Sequence, residues 1–118
     1  MVVDDHPDSA EATAQLLALH GHDARAVHSR SEALATVGGD DAFAPEVVIL
    51  DVRLPDGDGF TLAAELCRAL PVRPGLIVHT GLPGLDQKCR AAGFDHYVLK
   101  PADPAVLVDL VGRYARPT

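Results

Sequence analysis

Short apolar runs alternate with amphipathic stretches along this chain, and four of the runs end on residues with chemistry. Val2-Val3 leads into Asp4-Asp5, Val47–Leu50 into Asp51, Leu76–His79 into Thr80, and Val98-Leu99 into Lys100-Pro101. Apolar runs of this length, bounded by turn residues, read as strands buried on both faces. A half-buried strand at about Asp23–Val27 completes a set of five. The stretches between them have helical spacing. Asp8 or Ser9 can cap a helix from about Ser9 to His20, with Ala10, Ala14 and Leu17 on one face and Gly21 stopping it. Ser29-x-x-Glu32 has the spacing of a capping box and opens a short helix that ends at Gly38-Gly39. Phe60–Leu70 carries Leu62, Leu66 and Leu70 at helical intervals, Leu85–Ala92 reads as a short fourth helix, and Pro104–Tyr114 as a fifth.

Strands alternating with helices predict an α/β fold, a parallel sheet covered by helices on both faces. Five strands and five helices in this order suit the flavodoxin-like, doubly wound sheet of strand order 2-1-3-4-5. Such sheets bind their ligands outside the carboxyl ends of the strands. Asp4, Asp5, Asp51, Thr80 and Lys100 all fall at those ends, so three acids, a hydroxyl and a lysine gather on one edge. Clustered carboxylates suit a hard divalent cation such as Mg²⁺, and a lysine suits a phosphoryl oxygen. Crowded carboxylates also repel one another, which predicts raised or coupled pKa values before a cation arrives.

The remaining composition narrows the setting. The 118 residues carry a formal charge of −7, with Lys and Arg scattered, which argues against a nucleic-acid surface. One domain spanning 1–118 is expected from the length. No apolar run approaches a membrane span, and the acidic start is unlike a signal peptide. Cys67 and Cys89 lack metal-type spacing and read as reduced thiols of a cytoplasmic protein. Of the histidines, His20 and His22 flank a helix end, while His79 interrupts an apolar strand and reads as a satisfied buried side chain.

From Met1 to about Tyr114 the chain resembles the receiver domain of two-component response regulators. The resemblance rests on the acidic pair Asp4-Asp5, the block Asp51-x-x-Leu54-Pro55-x-Gly57-Asp58-Gly59, Thr80, and Tyr97-x-x-Lys100-Pro101, in that order. The wording of Val3–Asp8, Gly93–Tyr97 and Lys100–Pro104 is most similar to receivers at the end of hybrid sensor histidine kinases. The resemblance implies that Asp51 is the phosphoacceptor, receiving its phosphoryl group from a histidine kinase or a histidine phosphotransfer protein. It implies Mg²⁺ held by Asp5, Asp51 and the backbone carbonyl of Arg53, with Asp4 acting through a bound water. Lys100 becomes the cation facing the phosphoryl group, ahead of a cis proline at Pro101. Thr80 and Tyr97 become the readout, the hydroxyl turning to the phosphoryl oxygen and the ring turning inward. Arg53 and Leu82 take the variable positions that tune phosphoryl lifetime. Gly57 and Gly59 permit the sharp loop, and Asp56 and Asp58 are turn residues rather than metal ligands. The family's output face, built from the fourth helix, fifth strand and fifth helix, is a possible homodimer surface.

Two features depart from that pattern. The first strand is reduced to Met1-Val2-Val3, so either a short strand suffices or upstream residues complete it. The segment from Thr80 to Lys100 is short, which predicts a clipped fourth helix on the face that meets partners. Other readings compete less well. A haloacid-dehalogenase-type phosphohydrolase wants a second acid where Arg53 stands, and a flavodoxin-like cofactor site wants a phosphate-cradling loop where Asp4–Asp8 would repel phosphate. A degenerate receiver serving only as a phosphorylation-independent interaction module is the alternative that keeps the fold. The chain reads either as a stand-alone receiver or as one cut from a longer regulator or hybrid kinase.

Overall fold

The computed structural model describes residues 1–39 and 43–115. Residues 116–118, the end of the domain expected from the sequence, and residues 40–42 lie outside the described residues. The elements run β1 (Val2–Val3), α1 (Pro7–Leu19), β2 (Ala26–Val27), α2 (Arg30–Gly38), β3 (Val47–Leu50), β4 (Arg53–Leu54), β5 (Gly57–Asp58), α3 (Gly59–Ala69), β6 (Gly75–Thr80), α4 (Asp86–Ala91), β7 (His96–Leu99) and α5 (Pro104–Tyr114). The central sheet is parallel with the order β2-β1-β3-β6-β7, and β4 and β5 form a separate antiparallel ribbon. Without the ribbon that order is the expected 2-1-3-4-5.

Alternation along the strands sorts the core into two layers. Val3, Val48, Leu50, Leu76 and Val78 pack with Ala33 of α2, Leu62, Ala63 and Leu66 of α3 and Cys89 of α4. Val2, Val47, Ile49 and Ile77 pack with Ala10, Ala14 and Leu17 of α1 and Leu107, Leu110 and Val111 of α5. Fully burying one large aliphatic side chain contributes about 1.5–3 kcal/mol, so these two layers hold the strand ends that carry the chemistry.

Both residues of the short first strand pair on both sides. Val2 and Val3 lie opposite Ala26 and Val27 in β2, and opposite Ile49 and Leu50 in β3. Its shortness passes to β2, which pairs only at Ala26–Val27 instead of over Asp23–Val27, because β1 is its partner in the sheet. Helix α1 begins at Pro7, not Ser9. Proline is pre-set for the first helical position, and His6 precedes it without a side-chain cap. At the other end Gly21, at φ 90°, stops α1 as expected. Ser29 Oγ accepts the Glu32 N–H at 3.1 Å, closing half of the capping box that opens α2. The Glu32 carboxylate accepts the His28 N–H at 3.1 Å, one residue before the cap. Helix α4 spans only Asp86–Ala91, the clipped element the sequence suggests. The Lys100–Pro101 peptide bond is cis.

Candidate functional site

Strands β1 and β3 are neighbours, so Asp4 and Asp51 leave the sheet side by side. Asp4 is 4% and Asp51 7% exposed, while Asp5 stands open to solvent. One carboxylate oxygen from each of the three lies within 4.8 Å of the others. Lys100 enters from the end of β7, placing Nζ 2.6 Å from Asp4 Oδ2 and 3.2 Å from Asp51 Oδ2. Asp4 Oδ1 accepts the His6 N–H at 3.0 Å, and Asp51 Oδ1 accepts the Arg53 N–H at 3.2 Å. Lys100, expected to face the phosphoryl group, makes its shortest ion pair with Asp4.

That pairing changes the electrostatics. Burial pushes the Asp4 carboxyl up, but the Lys100 hydrogen bond, the His6 N–H and the Lys100 charge together hold it below its ordinary value. The raised pKa expected from crowding is therefore not found at Asp4, because a cation already sits among the acids. Burial would lower Lys100, yet its contacts with Asp4 and then Asp51 hold it above the ordinary lysine value. The ammonium is thus charged throughout the neutral range.

Thr80 ends β6, the strand beside β3, and is 1% exposed. The Leu82 N–H lies 3.4 Å from Thr80 Oγ1, and the Tyr97 hydroxyl donates to the Leu82 carbonyl. Tyr97 is half-buried against the α2–α3–α4 layer. Thr80 and Tyr97 therefore meet through the backbone of Leu82. A cavity of about 350 Å³ opens among Asp5, Asp51, Arg53, Thr80 and Lys100, with His6 and Leu82 also lining it. His79, half-buried beside this edge, has its pKa lowered by burial and by the Lys100 charge.

The loop after Asp51 holds what sequence reasoning missed. It is not an open turn but the β4–β5 ribbon, pairing Arg53 with Asp58 and Leu54 with Gly57. Asp58 caps α3, accepting the Thr61 N–H at 2.9 Å. Asp56 caps a helix distant in sequence, accepting the Arg30 N–H at 2.7 Å and the Ser31 N–H at 3.0 Å. Each does more than shape a turn. Gly59 is required for close approach, since a Cβ there would lie 2.5 Å from the Asp51 carbonyl oxygen. His28, which carries no motif, places Nδ1 3.1 Å from the Asp4 carbonyl oxygen and braces the end of β1.

The three carboxylates converging here offer oxygen donors, the set a hard, octahedral cation such as Mg²⁺ accepts. Among the described residues no helix is long and apolar enough to cross a membrane. A family model described as the response regulator receiver domain matches residues 1–112. The chain is 28% identical over 123 residues to hybrid signal transduction histidine kinase L of Dictyostelium discoideum, covering 98% of this chain and 7% of that protein. Most of the curated relatives are likewise much longer than this chain. Among solved structures, a response regulator receiver domain protein from Methanospirillum hungatei superposes with a TM-score of 0.82 at 26% identity, covering 95% of this chain and 88% of that one. A response regulator protein from Burkholderia pseudomallei, solved with a phosphorylated aspartic acid, calcium ion and citrate, gives 0.79 at 28% identity, covering 98% of this chain and 64% of that one.

Proposed function

The chain belongs to the response regulator receiver domain family, and from that premise we propose that Asp51 accepts a phosphoryl group from the phosphohistidine of a histidine kinase or histidine phosphotransfer protein. The observation that carries this reading is the convergence of buried Asp51, Asp5 and Lys100 on one cavity, with Asp4 beside them in the carboxylate cluster and paired to Lys100. The phosphorylated aspartic acid of the Burkholderia relative supports it. Asp5, Asp51 and the Arg53 carbonyl would hold Mg²⁺, with Asp4 acting through a water. When bound, the cation supplies positive charge against the phosphoryl oxygens.

The chain's own residues do the rest. An Asp51 carboxylate oxygen attacks phosphorus, the P–N bond to the donor imidazole breaks, and the electron pair stays on that nitrogen. Lys100, already 3.2 Å from Asp51, turns from Asp4 to neutralise a phosphoryl oxygen. Thr80 then donates its hydroxyl to another of those oxygens, drawing on the Leu82 backbone that also holds Tyr97. That shift biases the surface of α4, β7 and α5 between two states. Leu99 and Val106, 45% and 43% exposed, lie on that surface and suit a homodimer or partner contact. Arg53 and Leu82 at the cavity rim govern water access, and thereby the hydrolysis that resets Asp51. The working unit is a single receiver domain over residues 1–118, acting in the cytoplasm. The primary test is intact mass after incubation with a small acyl phosphate and Mg²⁺. Gain of one phosphoryl group is expected; no gain overturns the reading in favour of a phosphorylation-independent interaction module.

Two expected results follow from the division of labour. Millimolar Mg²⁺ raises the melting temperature of the wild type by a few degrees, since tenfold excess over Kd stabilises by about 1.4 kcal/mol. Asp5→Ala loses most of that rise; equal shifts in both proteins would remove Asp5 from the ligand set. Thr80→Ala still takes phosphate on Asp51, at a reduced but measurable rate, while amide NMR of its beryllofluoride-bound form shows little response across α4, β7 and α5. A ligand shifts a two-state equilibrium only by its differential affinity for the states, and the Thr80 hydroxyl supplies part of that difference. A full wild-type pattern of shifts in Thr80→Ala would exclude the switch.

A further inference from the structure

A ribbon of two residue pairs is too small to hold its own shape in water, so what grips it decides where Arg53 sits. The base of the β4–β5 ribbon is held by Gly59, whose N–H bonds the Val52 carbonyl at 2.9 Å, and by Asp58 on the first turn of α3. Its tip is held from elsewhere. The Asp56 carboxylate takes the Arg30 and Ser31 N–H groups at the start of α2, at 2.7 and 3.0 Å. The Arg30 side chain then crosses Gly57, where a Cβ would lie 2.9 Å from Arg30 Cδ. It ends in a two-pronged pair with Glu65 of α3, Nε to Oε1 at 2.7 Å and Nη2 to Oε2 at 2.5 Å. Two helices, joined by this guanidinium, thus close over the ribbon.

We propose that Asp56, together with the Arg30–Glu65 pair, is a positioning clamp that sets the Arg53 backbone against Asp51 before metal binds. The clamp rests on the metal site proposed above, because the Arg53 carbonyl is the oxygen it presents. Arg53 also gives its N–H to Asp51 Oδ1, so a ribbon that swings moves both the backbone carbonyl and a hydrogen bond of the phosphoacceptor. Asp56 and Arg30 touch neither the phosphoryl position nor the cation; they act through Arg53. Outer groups that orient metal ligands typically govern affinity by about 10–100-fold. The Arg30–Glu65 pair is partly exposed, so its loss leaves the core standing.

The test uses the full chain and the variants Asp56→Ala, Asp56→Asn and Arg30→Met. In metal-free protein, amide hydrogen exchange at Arg53 and Leu54 speeds up in Asp56→Ala and Arg30→Met, while β3 and β6 exchange as in wild type. Mg²⁺ titration by NMR gives a Kd raised about tenfold in Asp56→Ala. The Kd rises less in Asp56→Asn, which keeps one acceptor oxygen. At saturating Mg²⁺, acyl-phosphate labelling of Asp51 returns to the wild-type level. Variants that lose stability but bind Mg²⁺ with the wild-type Kd overturn the clamp and leave a structural strut. A wild type that shows no Mg²⁺ response overturns the metal site itself, and the clamp's purpose with it.

Discussion

Asp51→Asn abolishes labelling by an acyl phosphate and leaves the fold in place. The amide has the carboxylate's shape but no anionic oxygen to attack phosphorus, so the signal falls to background rather than by a factor. Stability changes little because Lys100 keeps its shorter partner, Asp4 at 2.6 Å, and the buried cation is not orphaned. Asp51 is 7% exposed and retains the Arg53 N–H as a donor to its remaining oxygen. Intact mass reports the chemistry and a thermal melt reports the fold. Labelling at the wild-type level would move the phosphoacceptor elsewhere, and loss of the fold would make Asp51 a structural residue first.

Lys100→Met produces the largest stability effect among the site residues, a loss of about 2–4 kcal/mol near neutral pH. It leaves two buried carboxylates, Asp4 and Asp51, facing each other without the cation between them. The pH dependence distinguishes this cause from simple loss of packing. In wild type the Asp4 pKa is depressed, so its contribution is present above the unfolded value of 3.8 and is lost as pH falls through the folded value. The Lys100 pKa is raised, so its contribution is present below the unfolded value of 10.5 and is lost as pH rises through the folded value. The pair therefore stabilises across the whole interval between. Without Lys100 the dominant influence on Asp4 is burial, which raises its pKa. Mild acidification toward that raised value then stabilises the variant, while the same change leaves the wild type level. Urea melts from neutral pH down to about pH 4 measure the two slopes. Parallel slopes would show that Lys100 does not set the charge balance of the acidic pair.

The order of elements and the membership of the site were legible in the sequence for a geometric reason. Parallel strands joined by crossover helices all point one way, so residues that end apolar runs must share an edge. Val2-Val3, Val47–Leu50, Leu76–His79 and Val98-Leu99 needed only their periodicity and bounding polar residues to bring Asp4, Asp51, Thr80 and Lys100 together. The identity of Gly59 likewise reflected a local demand, the 2.5 Å approach to the Asp51 carbonyl that no side chain permits.

Tertiary structure decided how those residues are partnered. Lys100 pairs more closely with Asp4, 96 residues away, than with Asp51, although β3 lies between β1 and β7 in the sheet. Tyr97 settles on the Leu82 carbonyl because the loop after β6 passes within reach of β7. Asp56 looks like a turn residue in its own neighbourhood and reaches the N–H groups of Arg30 and Ser31 at the start of α2, a helix that packs beside α3. Periodicity records which face of an element is buried, and strand ends record which edge a residue joins. The partner of a particular oxygen or ammonium depends on distances between elements far apart in the chain. Those distances are set by the packing of the two apolar layers, which local pattern does not encode.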